Sequence, residues 1–256
     1  MSSIFRYSGN KTRLLKYLPP PPSSVKTIVE PFAGSMAYAM FHRPVRIVAA
    51  EVNPYVRGLW EWLRTTATVE MLNKIERAKP TEKIDLRLLG LSEPETTLIR
   101  LQISGAYVGQ LSSFIAYPQH SLKLDKLKEA LPYIRQAVAP LAKHYSDVVL
   151  RAIPDDAMMF IDPPYLGTSA NYKSKGKDHG AINPRALEDF ILNGLTFPTL
   201  VTYGDGAAET FPRLPWQKVV DRKVPILRGG GTRLRTEYMA LLRWPDESRL
   251  QCTYPI

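Results

Sequence analysis

The sequence predicts an α/β protein: a doubly wound, Rossmann-like sheet carrying a mainly helical insert and a C-terminal β-hairpin. Three observations lead there. Residues 27–64 read as strand, glycine-containing turn, helix, strand, acid and helix, the opening of a doubly wound fold. The strand rhythm lapses over 65–146, returns at Val148-Val149-Leu150 and continues in the apolar run Ala157-Met158-Met159-Phe160-Ile161. After another buried run, Thr199-Leu200-Val201-Thr202-Tyr203, the segments 217–227 and 236–244 have β character and are joined by Gly229-Gly230-Gly231.

Taken in order, Arg6-Tyr7-Ser8-Gly9-Asn10-Lys11 is a tight loop leading into a short helix over 12–18, which Pro19 to Pro22 stop. Thr27-Ile28-Val29-Glu30 is a short buried strand, Pro31-Phe32-Ala33-Gly34-Ser35 turns the chain, and 36–42 is helical. A second strand, Val45 to Ala50, ends in Glu51, placed to accept hydrogen bonds from ribose hydroxyls. Asn53 caps the next helix and Pro54 opens it, with Val56, Leu59, Trp60 and Leu63 on one face. The first turn has one glycine where a diphosphate cradle has three, so a ligand with an adenosine part and no diphosphate is expected. The insert over 65–146 holds helices near 68–78, 94–104 and 124–143. Strand character resumes at Val148-Val149-Leu150, and a helix over 183–194 is capped by Asn183 with Pro184 at its start.

The buried run 157–161 delivers Asp162-Pro163-Pro164-Tyr165 to its C-terminal end, where open α/β sheets bind ligands. Proline fixes φ and has no N–H, so two in succession make a stiff exit whose carbonyls are free to accept. An acceptor-only carboxylate, rigid carbonyls and a flat ring suit a planar group that carries an NH2. A capped proline turn is the purely structural alternative for the same four residues.

Composition narrows the partners. The chain has 256 residues, 45% of them apolar, enough for a large core. No stretch approaches the ~20 apolar residues of a membrane span, and the N-terminus lacks the apolar region of a signal peptide. One cysteine, Cys252, excludes a disulfide framework, and His42, His120, His144 and His179 lack metal-ligand spacing; a reducing, cytoplasmic setting and no metal are expected. A net charge of +10 favours a polyanion, nucleic acid above all. The charge is concentrated: residues 213–243 hold eight basic residues against Asp221 and Glu237, and the first 29 residues hold five and no acid. Arg228, Arg233 and Arg235 around the triple glycine are candidate phosphate contacts, with a solvated charged hairpin as the alternative. Lys173 and Lys175, beside Tyr172, form either a solvated loop or a nucleic-acid-facing lid.

Three stretches, Phe5 to Lys11 (F-R-Y-S-G-N-K), Glu30 to Ser35 (E-P-F-A-G-S) and Asp162 to Tyr165 (D-P-P-Y), occur in that order and together resemble the Dam-like family of DNA adenine-N6 methyltransferases. The resemblance covers roughly 1–64 and 147–244, with 65–146 matching only loosely. It implies a catalytic S-adenosylmethionine-dependent methyltransferase domain over 1–64 and 147–256 and a target-recognition insert over 65–146. It implies that Tyr7, Ser8, Gly9 and Lys11 contact the methionine end of S-adenosyl-L-methionine. Glu30, Pro31, Phe32 and Gly34 would surround its adenosine and sulfonium, and Glu51 would hold the ribose. Asp162 and the Pro163 carbonyl would accept from the adenine amine, Pro164 completing the rigid exit, and Tyr165 would stack on the flipped base. Flipping takes a few kcal/mol, and aromatic stacking returns about 1–3 kcal/mol per base. The expected partner is double-stranded DNA, and the expected state a monomer or weak dimer.

The chain departs from the family pattern at three places. Asn10 stands where a second glycine is usual, and Met36 where a glycine is frequent. The family commonly has an acid after the third strand that reads the cofactor adenine; with the third strand at 148–150, only Asp155 and Asp156 are candidates, and they more simply begin a turn. Cytosine-N4 methylation, RNA adenine methylation and a catalytically silent nucleic-acid-binding relative are the alternatives.

Overall fold

A computed structural model describes residues 4–5, 7, 11–78, 84–103, 115–116, 122, 124–149, 153–166, 173–174, 177–178, 182–225 and 232–245. Two 3-10 turns, Lys11–Arg13 and Leu15–Tyr17, stand in place of the single short helix expected over 12–18. In chain order the elements are then β1 (Thr27–Glu30), α1 (Ala37–His42), β2 (Arg46–Ala49), α2 (Pro54–Thr65), α3 (Val69–Arg77), β3 (Ile84–Asp85), α4 (Glu93–Ile103), β4 (Ile115–Ala116) and α5 (Asp125–Ala137). There follow α6 (Tyr145–Val149), β5 (Ala157–Ile161), β6 (Lys173–Ser174), β7 (Lys177–Asp178), α7 (Pro184–Asn193), β8 (Thr199–Tyr203), α8 (Ala207–Thr210), β9 (Trp216–Pro225) and β10 (Thr232–Leu242).

The architecture is mixed α/β around a six-stranded, mostly parallel sheet in the order β2-β1-β5-β8-β10-β9. The first four strands run parallel, and β10 and β9 close the sheet as an antiparallel hairpin. Each residue of β1, β5 and β8 is buried, which is why these strands read as continuous apolar runs rather than alternating ones. Alternation still divides their side chains between two cores. Ile28, Ile47, Met158, Phe160 and Leu200 join one core with Leu59, Trp60 and Leu63 of α2 and Leu127 and Ile134 of α5. Val29, Val48, Met159, Ile161 and Val201 join the other with Leu187 and Ile191 of α7 and Val148 of α6.

The caps form as their residue types dictate. Asn53 Oδ1 accepts from the Tyr55 N–H at 3.0 Å, and Asn183 Oδ1 from the Ala186 N–H at 3.1 Å, each with proline opening the helix. α4 and α5 pack against α2. α5 ends at Ala137, short of the 143 expected, because the chain beyond it turns to the sheet.

The third strand is not where it was expected. Residues 145–149 form α6, and the segment 138–142 lies beside β2 instead, through parallel bridges Ile47↔Val138 and Ala50↔Ala142. Ala139 N–H donates to the Ile47 carbonyl, Ala142 N–H to Ala49, and Glu51 N–H to Ala142, at 2.9–3.0 Å. Pro140 in its middle has no N–H, as suits a segment at the edge of a sheet. The valines of 148–149 carry strand propensity, but tertiary packing of Val148 in the second core prevails.

Candidate active site at the ends of the central strands

From β1 the sheet extends to β2 on one side and to β5 on the other, and the carboxyl ends of such strands are where open α/β sheets bind ligands. The register Thr27↔Ala157 to Val29↔Met159 sets the 30–34 turn beside Asp162–Tyr165. These two motifs, 128 residues apart by the numbering of Gly34 and Asp162, thereby meet.

Glu30 ends β1 and is buried; its Oε1 accepts the Ala39 N–H at 2.8 Å. Burial raises its pKa to about 8, against that hydrogen bond and with the help of the nearby Asp162 charge. Glu51, also buried, accepts from the Gly34 N–H at 3.0 Å and from the Asn53 N–H at 2.8 Å. Burial raises it to about 7, opposed by the same two bonds and by Arg57. Gly34 is held in the left-handed region at φ 46°, its carbonyl accepting from Trp60 Nε1 at 2.8 Å. A Cβ there would stand 2.8 Å from the Tyr7 ring, so the glycine is also what lets Tyr7 close on the turn. Pro31 is buried beside it. Met36, φ 47°, takes a left-handed conformation that glycine adopts without strain.

Lys11 leads into the second motif. It is 4% exposed, its Nζ lies 2.6 Å from Asp162 Oδ1, and it stands 4.8 Å from the centre of the Tyr165 ring. Thr202 of β8 donates to the same Asp162 oxygen at 3.1 Å. Burial holds Asp162 above the usual carboxylate range, with Lys11 opposing and Glu237 adding to the rise. Pro163 is buried and Pro164 half-buried. The Tyr165 hydroxyl donates to Glu237 Oε2 at 2.9 Å, and its ring leans on Tyr203 with centroids 4.6 Å apart. Burial, then Asp162 and Glu237, push its phenol well above the ordinary value. Phe32 stacks on Tyr145 at 5.3 Å and 28°, and Phe190 meets Tyr145 edge-on.

Other site residues lie elsewhere or are held differently. Arg235, expected as an exposed phosphate contact, folds back so that its guanidinium carbon lies 4.6 Å from the Tyr165 ring centre, with Nε buried and without a hydrogen-bond partner among the described residues. Lys173 and Arg233 are described by backbone alone, opposite Asp178 in β6–β7 and opposite Val224 in β9–β10. Ser8, Gly9, Lys175 and Arg228 lie outside the described residues. Asp155 and Asp156 form a turn, the simpler of the two readings, rather than a cofactor contact: Asp156 receives the Lys26 and Thr27 N–H groups on its carbonyl and the Thr27 hydroxyl on its carboxylate, at the opposite, N-terminal end of β1 and β5. The residues that follow the edge segment 138–142 are instead His144, Tyr145 and Asp147, and Tyr145 is the one that reaches Phe32.

Glu237 and Arg222 were not singled out from the sequence. Glu237 is fully buried and receives both the Tyr165 hydroxyl and Arg222. An acid inside an otherwise basic segment was the available signal.

No protein-family model and no curated protein matches the chain. A solved structure described as a precorrin 8W decarboxylase from Methanobacterium thermoautotrophicum superposes with a TM-score of 0.35 and 11% identity, over 90% of this chain and 89% of that one. That likeness is too slight to carry an argument. Among the described residues no helix is long and apolar enough to cross a membrane, and no group of three or more His, Cys, Asp or Glu could hold a metal.

Proposed function

We propose that this chain is an S-adenosyl-L-methionine-dependent DNA methyltransferase acting on the N6 amine of adenine, built on a doubly wound Rossmann-like sheet with 65–146 as its target-recognition insert. The observation that carries the reading is the meeting of the Glu30–Gly34 turn and Asp162–Tyr165 at adjacent parallel strand ends, with Lys11 bonded to Asp162. A cofactor-binding turn and an amine-binding tetrad must adjoin for a methyl group to pass directly from one to the other.

The donor set fits the cofactor. Each Glu51 oxygen holds one backbone N–H, which fixes the carboxylate and leaves a second lone pair on each for ribose hydroxyls. Its pKa near 7 keeps it partly protonated at neutral pH, able to donate as well as accept. Tyr7 closes on Gly34 beside it, and Phe32 offers a flat apolar wall backed by Tyr145. The cofactor would supply an activated methyl group on a sulfonium.

The chain's own residues do the rest. Lys11 and Thr202 both bind Asp162 Oδ1, which orients the carboxylate and leaves Oδ2 for an amine N–H. The Pro163 carbonyl offers a second acceptor at fixed geometry, since proline restricts the backbone on both sides of it. Two acceptors draw the amine nitrogen out of conjugation with its ring, and both tighten as positive charge grows there. Asp162, raised above the usual carboxylate range by burial, is suited to take the proton that the methylated amine loses. The net charge of +10 supplies duplex affinity, which should fall with salt.

Transfer of label from methyl-labelled S-adenosyl-L-methionine to duplex DNA, followed by digestion to nucleosides, tests the proposal. N6-methyladenine in the digest supports it; N4-methylcytosine, label in RNA alone, or no transfer sinks it. Asp162→Asn keeps the volume and removes the carboxylate: kcat should drop at least about 100-fold, the scale of a lost general base, while calorimetry shows cofactor affinity within a few-fold of the parent. Lost cofactor binding with residual turnover would reassign Asp162 to the cofactor side.

A further inference from the structure

We infer that Glu237 is a positioning residue that anchors the far end of Tyr165; the inference rests on the function proposed above. In β10 the pairing runs Glu237↔Val220 and then Tyr238↔Lys218, so Val219 of β9 has no opposite residue. The extra residue is on β9, so β9 is the strand that bends, and bulges gather next to active sites. Opposite the bulge, on β10, stands an acid with no exposed surface, whose two oxygens take Arg222 on Oε1 and the Tyr165 hydroxyl on Oε2.

A hairpin does not need a buried carboxylate. Removing a charge from water is unfavourable even when it is paired, and an apolar residue of similar volume would hold two strands together as well. An ion pair with Arg222 alone would also be served by a half-exposed position. What the hairpin alone does not explain is the second oxygen, which reaches across β8 to the D-P-P-Y motif 72 residues away.

Tyr165 has reason to need that anchor. The prolines fix the backbone before it but leave its side-chain torsions free. Around the ring stand Tyr203, the Arg235 guanidinium and the Lys11 ammonium, and Gly204 passes so close that a Cβ would come within 2.8 Å of it. These contacts limit the ring's motion, and Glu237 holds its polar end. A ring held at the hydroxyl presents a fixed face to an incoming flat partner and loses little further freedom when stacking occurs. The charged groups that face the phenol are Glu237, Asp162, Arg235 and Lys11.

The test is a double-mutant cycle with a spectroscopic arm. Glu237→Ala and Tyr165→Phe each remove the bond, and each should lower kcat about tenfold, the low end for a hydrogen bond to a charged acceptor, with cofactor affinity unchanged. The double variant should then be about as slow as either single, because both remove one interaction. Glu237→Gln, which keeps an acceptor, should recover most of the rate. Multiplying effects, or a Glu237→Ala variant as fast as the parent, would overturn the inference and return Glu237 to a structural partner of Arg222. The second arm needs no turnover: 19F NMR of the full chain carrying 3-fluorotyrosine, with the Tyr165 line assigned by its loss in Tyr165→Phe. In Glu237→Gln that line should shift and the phenol should titrate at lower pH, since a neighbouring negative charge is gone; an unmoved line and titration would overturn the inference even if Glu237→Ala fails to fold. A chain that transfers no methyl group but shows the NMR change would refute the proposed function and leave the anchoring of Tyr165 standing.

Discussion

Glu30 and Glu51 each put a carboxyl out of water at the end of a parallel strand, and the outcome is a pH dependence of the fold. Both pKa values are raised by burial, to about 8 and about 7, from an ordinary 4.5. In the folded chain these groups keep protons that the unfolded chain releases above pH 4.5. The folded state binds more protons across that window, so stability falls as pH rises from about 5 toward 8 and levels off once both groups are ionised. The total change is on the order of several kcal/mol, since each tenfold change in proton affinity is worth about 1.4 kcal/mol. Thermal melting at several pH values from 5 to 8 should show a falling Tm, and Glu30→Gln, which retains an acceptor for the Ala39 N–H, should flatten the slope. A slope unaffected by that substitution would mean Glu30 is ionised in the folded chain at neutral pH. Lys11 makes the contrasting case. Its place in the N-terminal loop motif was legible from the sequence, whereas its ion pair with Asp162 was not, because the pairing depends on the register of β1 with β5.

At the level of elements, the exit of β8 governs how tightly the tetrad is held. Thr202 bonds Asp162, Tyr203 leans on Tyr165 and gives its hydroxyl oxygen to the Leu166 N–H at 2.8 Å, and Gly204 leaves room for Tyr165 and Arg235 together. Gly204→Ala should therefore act on the site more than on the fold. A new methyl group 2.8 Å from the Tyr165 ring and 3.1 Å from Arg235 Nε forces one of them aside. The expected outcome is a kcat reduced about 10-fold or more, with stability lowered by about 1–3 kcal/mol as for other overpacked positions, measured by turnover and urea unfolding on one preparation. Full activity would show that the ring has slack the distances do not suggest. The Thr199–Tyr203 run was visible as a buried strand, but its contribution to the site was not. Thr202 and Gly204 are ordinary residues in sequence, and only the adjacency of β8 to β5 gives them a role.

For the whole molecule, the legible parts were those whose burial is decided locally. Strands covered on both faces write themselves as apolar runs, and Asn-Pro pairs at 53–54 and 183–184 mark helix starts without reference to anything distant. The parts that stayed hidden depend on partners far along the chain: the edge segment 138–142, the bulge beside Glu237, and the return of Arg235 onto Tyr165. The same edge segment bears on the molecule's dealings with its own copies. A sheet ends wherever its last strand stops offering a regular row of donors and acceptors, and an edge that keeps offering them recruits another chain. Beyond β2 that row is interrupted at Pro140, which has a carbonyl and no N–H. Pro140→Val restores the donor and a strand-forming side chain at once, and sedimentation velocity across a concentration series should then detect association beyond that of the parent; identical profiles would assign the barrier to some other feature of the rim. At this rim, then, one backbone nitrogen without a hydrogen interrupts the row of donors that a further strand would use.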